Sequence, residues 1–377
     1  MLIRPDRIFF VSFQVVFPKL SSPILFEEFS DLNGAIPWIP LVNTPTPVKH
    51  LDKLGEYLET NIPIWIKQDN LTSDKYGGNK VRKLEFIIAD ALEKKKDTIA
   101  TLGGIGTNHG LATTIFGKEH GLDVVLYLIN QPITKHVLDN LKLDFKFGAE
   151  LKYVKNYLGV GIHFYLLDRL KLKQIYWLPA GGSTSLGILG YVNAVLELKQ
   201  QIEEGQLPEP KQIYVAAGTT GTMAGIELGV QLANLQAQVI GVRVTDRMAA
   251  TGRKVKNLVK GALKILKNDS KVKNFRYKPK FVLINQFYGG KYGRVTSEGL
   301  NAVEIMNKTE GIFLETTYTG KTLAALLDHI KIKEPKIKEP ILFWNTYNSV
   351  DLSSVADQVH YQQLPLKFHH LFEEKKG

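Results

Sequence analysis

Apolar and polar positions alternate in blocks along this chain. Ile64 to Lys67 reads as a strand. After it, Val81, Leu84, Ile87, Ile88, Ala91 and Leu92 recur at three- and four-residue spacing, which predicts a helix running to about Lys94. Thr98 to Leu102 is a short buried strand, followed by a glycine-rich turn and a helix to about His120. Val124 to Ile129 is the next strand, and a helix from Thr134 leads to a strand at Glu150 to Val154. The alternation resumes with a helix over Tyr191 to Glu203, a strand over Gln212 to Ala217, a helix over Met223 to Ala233 and a strand over Gln238 to Val244. An amphipathic basic helix is predicted over 253–273 and a strand over Phe281 to Ile284. Helices follow Thr296 and Gly320, and Ile341 to Trp344 is a late strand. Repeated strand–helix units predict an α/β fold of mostly parallel sheet flanked by helices.

Composition adds limits. A chain of 377 residues suggests about two domains. Its 44% hydrophobic and 23% charged content is that of a globular enzyme, and its 32 glycines fit many tight strand-to-helix turns. The absence of cysteine excludes disulfides, thiolate metal sites and thiol nucleophiles. No spaced set of histidines and carboxylates suggests a metal site. The formal charge of +11 would suit nucleic acid, but aromatic residues do not interleave with the basic runs at 253–280 and 331–338. Solvated lysine-rich helices are the simpler source of that charge. No apolar run reaches the length of a membrane span. The short apolar run from Ile8 to Phe17 is interrupted upstream by Asp6 and has no cleavage signal, so a cytoplasmic location is expected.

Candidate chemistry sits at the glycine turns. Gly77-Gly78-Asn79-Lys80 opens directly into a helix, which puts Lys80 beside unpaired N–H groups and the positive end of the helix dipole. Lys80 is therefore a phosphate-holding residue, a Schiff-base lysine or a solvated surface lysine. Gly218-Thr219-Thr220-Gly221-Thr222, between a strand and a helix, has the makings of a monophosphate cup, though it lacks a Walker ending and a plain turn would need the same glycines. Gly103-Gly104-Ile105-Gly106-Thr107-Asn108-His109-Gly110 nearly makes a dinucleotide fingerprint, with His109 where a third glycine belongs. This leaves a nicotinamide-dependent oxidoreductase and a non-catalytic nucleic-acid-binding relative as alternatives. Tyr318, in a turn before a helix, is a proton donor or a packed aromatic.

These motifs, in this order and joined by Tyr318-Thr319-Gly320-Lys321, resemble the aminocyclopropane-carboxylate deaminase and D-cysteine desulfhydrase family over roughly residues 44 to 346. The resemblance implies a pyridoxal-phosphate enzyme of the tryptophan-synthase-β-like fold. It implies a smaller domain at 86–194 set into a larger one at 46–85 and 195–377, after an extension at 1–45. On the same resemblance Lys80 is the Schiff-base lysine, Lys83 contacts the cofactor phosphate and Asn108 meets the cofactor's phenolic oxygen. Gly218, Thr219, Thr220, Gly221 and Thr222 form the phosphate cup, and Thr107 lies near the substrate carboxylate. Tyr292 and Tyr318 are the active-site tyrosines. Thr319 faces the pyridine nitrogen, where deaminases carry glutamate, and Thr346 completes the cofactor site. The expected reaction is β-elimination from a small, D-cysteine-like amino acid, giving pyruvate and ammonia. The alternative within the family is 1-aminocyclopropane-1-carboxylate deamination, and a homodimer is expected. Three departures concern the substrate. Gly103 to Ala112 replaces Gly-Gly-Ile-Gln-Ser-Asn-His-Ala-Arg-Gln, Asn345-Thr346-Tyr347-Asn348 replaces His-Thr-Gly-Gly, and Lys291 replaces glycine.

Overall fold

Two sheets organise the chain, and each strand enters its sheet on an apolar run. The structure is a computed structural model that describes residues 22–155, 159, 174–333 and 339–373. The run at 8–17 lies outside these residues, as does most of the basic run at 331–338. The larger sheet contains β1 (Val48–His50), β2 (Ile64–Gln68), β7 (Gln212–Ala217), β8 (Gln238–Arg243), β9 (Val282–Ile284) and β10 (Ile341–Asn345). Its order is β1-β2-β10-β7-β8-β9, and β1 alone runs antiparallel to its neighbour. β3 (Thr98–Gly104), β4 (Asp123–Ile129), β5 (Glu150–Lys155) and β6 (Ile175–Leu178) form a second, all-parallel sheet in the order β5-β4-β3-β6.

Twelve described α-helices accompany them: α1 (Ile24–Glu28), α2 (Asp52–Tyr57), α3 (Asn79–Glu93), α4 (Asn108–Glu119), α5 (Lys135–Lys146), α6 (Leu189–Glu203), α7 (Gly221–Leu232), α8 (Gly252–Leu266), α9 (Ser297–Glu310), α10 (Thr319–Lys333), α11 (Ser353–Asp357) and α12 (His370–Glu373). One face of the larger sheet packs on α6, α7 and α8, whose Val192, Val195, Ile226 and Val259 are fully buried. The other face packs on α9 and α10 through Met306, Leu323 and Leu326. The N-terminal stretch is part of the first core: Leu25 and Leu32 are buried there, and Leu25 N–H donates to Asn193 Oδ1 at 2.9 Å.

The basic helix predicted to reach residue 273 stops at Leu266. Asn268-Asp269-Ser270 follows, a sequence whose side chains compete for backbone donors. Asp269 is buried; its Oδ1 accepts from Lys271 N–H at 2.8 Å and its Oδ2 from Asp31 N–H at 3.0 Å, which ties the turn to the N-terminal stretch.

α3 is buried on every side from Val81 to Ala91, including Arg82, Lys83 and Glu85. Buried charges need partners, and Arg82 finds two carboxylates. It donates to Asp69 at 2.8 and 3.0 Å and to Glu197 of α6 at 3.0 and 3.1 Å. Asp69 also accepts from Tyr191 Oη and Trp344 Nε1, both at 2.8 Å. Glu197 accepts from Lys67 Nζ at 2.5 Å and from Thr46 N–H at 2.8 Å. Burial pushes the Glu197 carboxyl up, but Arg82 and Lys67 outweigh it and hold the group at about 2. This net-neutral cluster joins β2, β10, α3 and α6 directly behind the start of α3.

Candidate active site

A cavity of about 680 Å³ opens where the C-terminal ends of β3, β7 and β10 face the starts of α3, α4 and α7. That is the size and position of a small-molecule site in parallel α/β folds. The Gly77–Gly78 turn enters it. A Cβ on Gly77 would meet Asn70 O at 2.1 Å. Gly78, at φ +86°, caps α3 in a conformation that favours glycine, and a Cβ there would meet Thr346 O at 2.9 Å. The turn therefore fits only without side chains, and it places Lys80 as the second residue of α3, partly exposed to the cavity.

Lys80 Nζ donates to Asn79 Oδ1 at 2.7 Å. Burial lowers its pKa to about 8, against an opposing pull from Glu315. Lys83, one turn on, is buried and donates to Gly181 O at 3.2 Å, and burial and then Lys80 push its pKa well below the lysine range. Neither lysine forms an ion pair with a described residue, so the site holds buried cationic capacity that calls for an anion.

A candidate seat for an anion is the 218–222 turn. Thr220 caps α7 with φ +69°, a strained backbone for a β-branched residue. Its buried hydroxyl has no partner among the described residues. A Cβ on Gly221 would meet Ser183 Oγ at 2.4 Å and Lys83 Nζ at 2.9 Å, so the missing side chain keeps both against the helix start. Ser183 Oγ and Thr219 Oγ1 lie 2.7 Å apart, and Asn79 Nδ2 donates to Thr222 Oγ1 at 2.9 Å. A strained threonine, an unpaired hydroxyl, a free helix N-terminus and an uncompensated lysine together suit a phosphate ester.

Opposite, the Tyr292 and Tyr318 hydroxyls hydrogen-bond to each other, their rings edge-on with centroids 6.2 Å apart. Burial, then Tyr292, raise the Tyr318 pKa well above the tyrosine range, so Tyr318 stays neutral. Thr107 caps α4, accepting from Gly110 N–H at 3.2 Å. Asn108 follows it, and His109 is buried with burial pushing its pKa well down.

Of the residues singled out from sequence, Lys80, Lys83, Thr107, Asn108, Gly218, Thr219, Thr220, Gly221, Thr222, Tyr292, Tyr318 and Thr346 all line this cavity. Thr319 does not: it is buried, and its hydroxyl sits 3.1 Å from Glu315 Oε1 and 3.1 Å from Glu315 N. The cavity wall holds two acidic residues, Asp246 and Glu315, and the Glu315 carboxylate also accepts the N–H groups of Thr317, Tyr318 and Thr319 at 2.7 to 2.8 Å. Sequence reasoning passed over Glu315, although it opens the stretch that holds Tyr318. It also passed over Tyr76, which lies directly before the glycine turn, and Ser183, which lies in a glycine run of its own.

Comparison with known proteins agrees with this geometry. The family model for pyridoxal-phosphate dependent enzymes matches residues 39–346. D-cysteine desulfhydrase from Klebsiella pneumoniae subsp. pneumoniae is 34% identical over 321 residues, 82% of this chain and 93% of that protein. The enzyme of the same name from Klebsiella pneumoniae strain 342 is 35% identical over 322 residues, with the same coverage. Among solved structures, an ACC deaminase homologue superposes with a TM-score of 0.74 at 30% identity, over 89% of this chain and 98% of its own. A fungal L-serine ammonia-lyase from Rhizomucor miehei shares the fold with a TM-score of 0.57 at 17% identity, over 83% of this chain and 96% of its own. These likenesses displace the nicotinamide and nucleic-acid readings left open at Gly103 to Gly110 and by the charge. No described helix is long and apolar enough to cross a membrane. With Lys80 and the 218–222 turn in one cavity, and a family match over most of its length, this chain belongs to the pyridoxal-phosphate dependent enzymes of the tryptophan-synthase-β-like fold.

Proposed function

We propose that the chain catalyses β-elimination from a small, D-cysteine-like amino acid, releasing pyruvate and ammonia. The observation that carries this reading is a partly exposed lysine amine of pKa about 8 sharing one cavity with a neutral tyrosine and a phosphate cup. The relatives named D-cysteine desulfhydrase support the substrate class. Bound pyridoxal phosphate supplies an electron sink for charge developing at the substrate α-carbon.

The chain's residues do the rest. Gly218 to Thr222 and Lys83 hold the phosphate, and Lys80 is the covalent anchor. Once released, Lys80 Nζ takes the α-proton, a task suited to an amine with pKa near neutrality. Tyr318 Oη, neutral and backed by Tyr292, donates a proton to the departing sulfur. Thr107 keeps an O–H free to donate to the substrate carboxylate, because capping uses only its lone pair. Asn108 donates to the cofactor's phenolic oxygen, and Thr346 lines the wall beside Gly78.

A second reading, deamination of 1-aminocyclopropane-1-carboxylate, is kept because Glu315 lines the cavity, although its carboxylate already accepts from the N–H groups of Thr317, Tyr318 and Thr319. Pyruvate release measured against D-cysteine, L-cysteine, D-serine and aminocyclopropane-carboxylate separates the two. Turnover of D-cysteine at least tenfold faster than of the cyclopropane is expected, and the reverse ranking would overturn the leading reading. We also propose a smaller domain at 86–194 within a larger one, and a cytoplasmic homodimer. The separate four-stranded sheet supports the division, and a solution mass twice that of the chain is the expected result for the dimer.

The cup predicts its own weak point. Gly221→Ala would push Lys83 Nζ and Ser183 Oγ away from the helix start. Losing one hydrogen bond to a charged group costs about 1.5–3 kcal/mol, so the cofactor dissociation constant should rise roughly 10- to 100-fold in an absorbance titration.

A further inference from the structure

Helix α5 comes unusually close to the loop that carries Asn108. An ideal Cβ on Gly106 would lie 2.5 Å from Val137 Cα, so the two backbones touch only because residue 106 has no side chain. That contact brings two residues of α5 to the Asn108 side chain. Asn140 is buried, and its Nδ2 donates to Gly106 O at 3.0 Å and to Asn108 Oδ1 at 2.8 Å. Both of its N–H bonds are then used. His136 Nε2 lies 3.1 Å from the same Asn108 Oδ1. Asn140 Nδ2 lies 3.4 Å from that same Nε2, and we assign the proton to His136 Nε2 because the shorter contact is to an oxygen, which accepts. Flipping either amide would set donor against donor or crowd oxygens together, so the chemistry fixes both orientations.

Asn108 Oδ1 is thereby held by two donors, and its Nδ2 makes no hydrogen bond to the described residues while the side chain lines the cavity. We propose that Asn140 and His136 are positioning residues that lock the Asn108 amide with its donor facing the cofactor's phenolic oxygen. In this chain two polar groups from α5 serve a loop whose own position 106 has given up its side chain. The inference rests on the reading of Asn108 as a cofactor ligand.

A donor to the phenolic oxygen stabilises that oxygen most when the neighbouring nitrogen has lost its proton. Losing the donor therefore raises the pH midpoint of the bound cofactor's visible absorbance band. The titratable groups facing this region are Lys80 and Lys83 from α3, His109 from α4, Asp139 and His136 from α5, and Glu315 and Tyr318 at the start of α10. Exchanging His136 for an apolar residue removes its contact with Asn108 Oδ1.

The test is a spectrophotometric pH titration of holoenzyme carrying Asn108→Ala, Asn140→Leu or His136→Phe. Asn108→Ala and Asn140→Leu should each raise the midpoint by about one pH unit, the scale of one hydrogen bond to a charged group. His136→Phe should raise it by less, because Asn140 remains. Asn140→Leu added to Asn108→Ala should raise it no further. His136 is exposed, so its variant reports even if the buried substitution impairs folding. If the midpoint moves in Asn108→Ala but stays at the native value in both α5 variants, the positioning role is overturned. If Asn108→Ala itself leaves the midpoint in place, Asn108 is no cofactor ligand and the proposal falls with that reading.

Discussion

Reduced with borohydride after incubation with pyridoxal phosphate, Lys80→Ala protein should carry no covalently fixed cofactor in the site, and it should release pyruvate at least about 10³-fold more slowly than the native chain. The mutation removes the covalent anchor and the proposed base together, while α3 keeps its length and its buried face. Cofactor should still bind through the cup, more weakly and as the free aldehyde, so binding and covalent fixation separate in this variant. A pH signature accompanies the effect. Burial sets the Lys80 pKa at about 8 in the free protein, with Glu315 opposing. The amine is charged below that value and free above it, so the rate of colour formation in the native apoprotein should climb about tenfold per unit up to pH 8 and then level off. The stability linkage has the matching sign. A lysine whose folded pKa is depressed penalises the fold below about 8, and the penalty fades as pH rises towards the ordinary value of 10.5. Cofactor fixed by borohydride in Lys80→Ala to the extent seen in the native chain, or a loading rate flat from pH 6 to 9, would refute the assignment.

The largest effect on stability is expected at Glu197, far from any substrate. Glu197→Ala leaves Arg82 and Lys67, both fully buried, with Asp69 as the one remaining carboxylate of the cluster. Removing one member of a buried ion network costs about 3–5 kcal/mol, because an unpaired charge stays behind. That loss should appear as a clearly lower denaturation midpoint in urea or heat. Glu197→Gln keeps the shape and part of the hydrogen bonding and should cost less. Acid should mimic the lesion. The folded carboxyl sits at about 2, so its contribution is complete above the ordinary value of 4.5 and is lost as pH falls from there towards 2. A Glu197→Ala midpoint indistinguishable from native would show that the cluster does not hold the two faces of α3 together.

The fold was legible wherever apolar residues carried the signal. β2, β3, β4, β7 and β10 follow runs of isoleucine, valine and leucine, and the glycine turns marked the strand-to-helix junctions that line the cavity. The buried cluster was not legible, because hydrophobic periodicity makes Arg82, Lys83 and Glu85 look like the wet face of an amphipathic helix. Only the tertiary structure, which packs α3 on every side and brings Asp69, Glu197 and Trp344 to it, turns those charges inward. Thr319 and Glu315 show a second limit. Thr319 begins α10 and Glu315 lies just before it, and sequence order alone cannot say that Glu315 lines the cavity while Thr319 does not. The α5 residues around Asn108 mark a third, since a pair some thirty positions apart in sequence meets only because Gly106 has no side chain.

The strand order β2-β10-β7 also sets a timetable for biosynthesis. β2 emerges early, yet its parallel neighbour begins at Ile341, after the whole four-stranded sheet has been made. The smaller sheet can close on the ribosome, whereas the larger must wait with an open edge, the kind of long-range pairing that is slow and exposed to aggregation. Trp344, which donates to Asp69 behind Lys80, arrives with that late strand. Nascent chains that end before it are therefore expected to carry Lys80 without that scaffold.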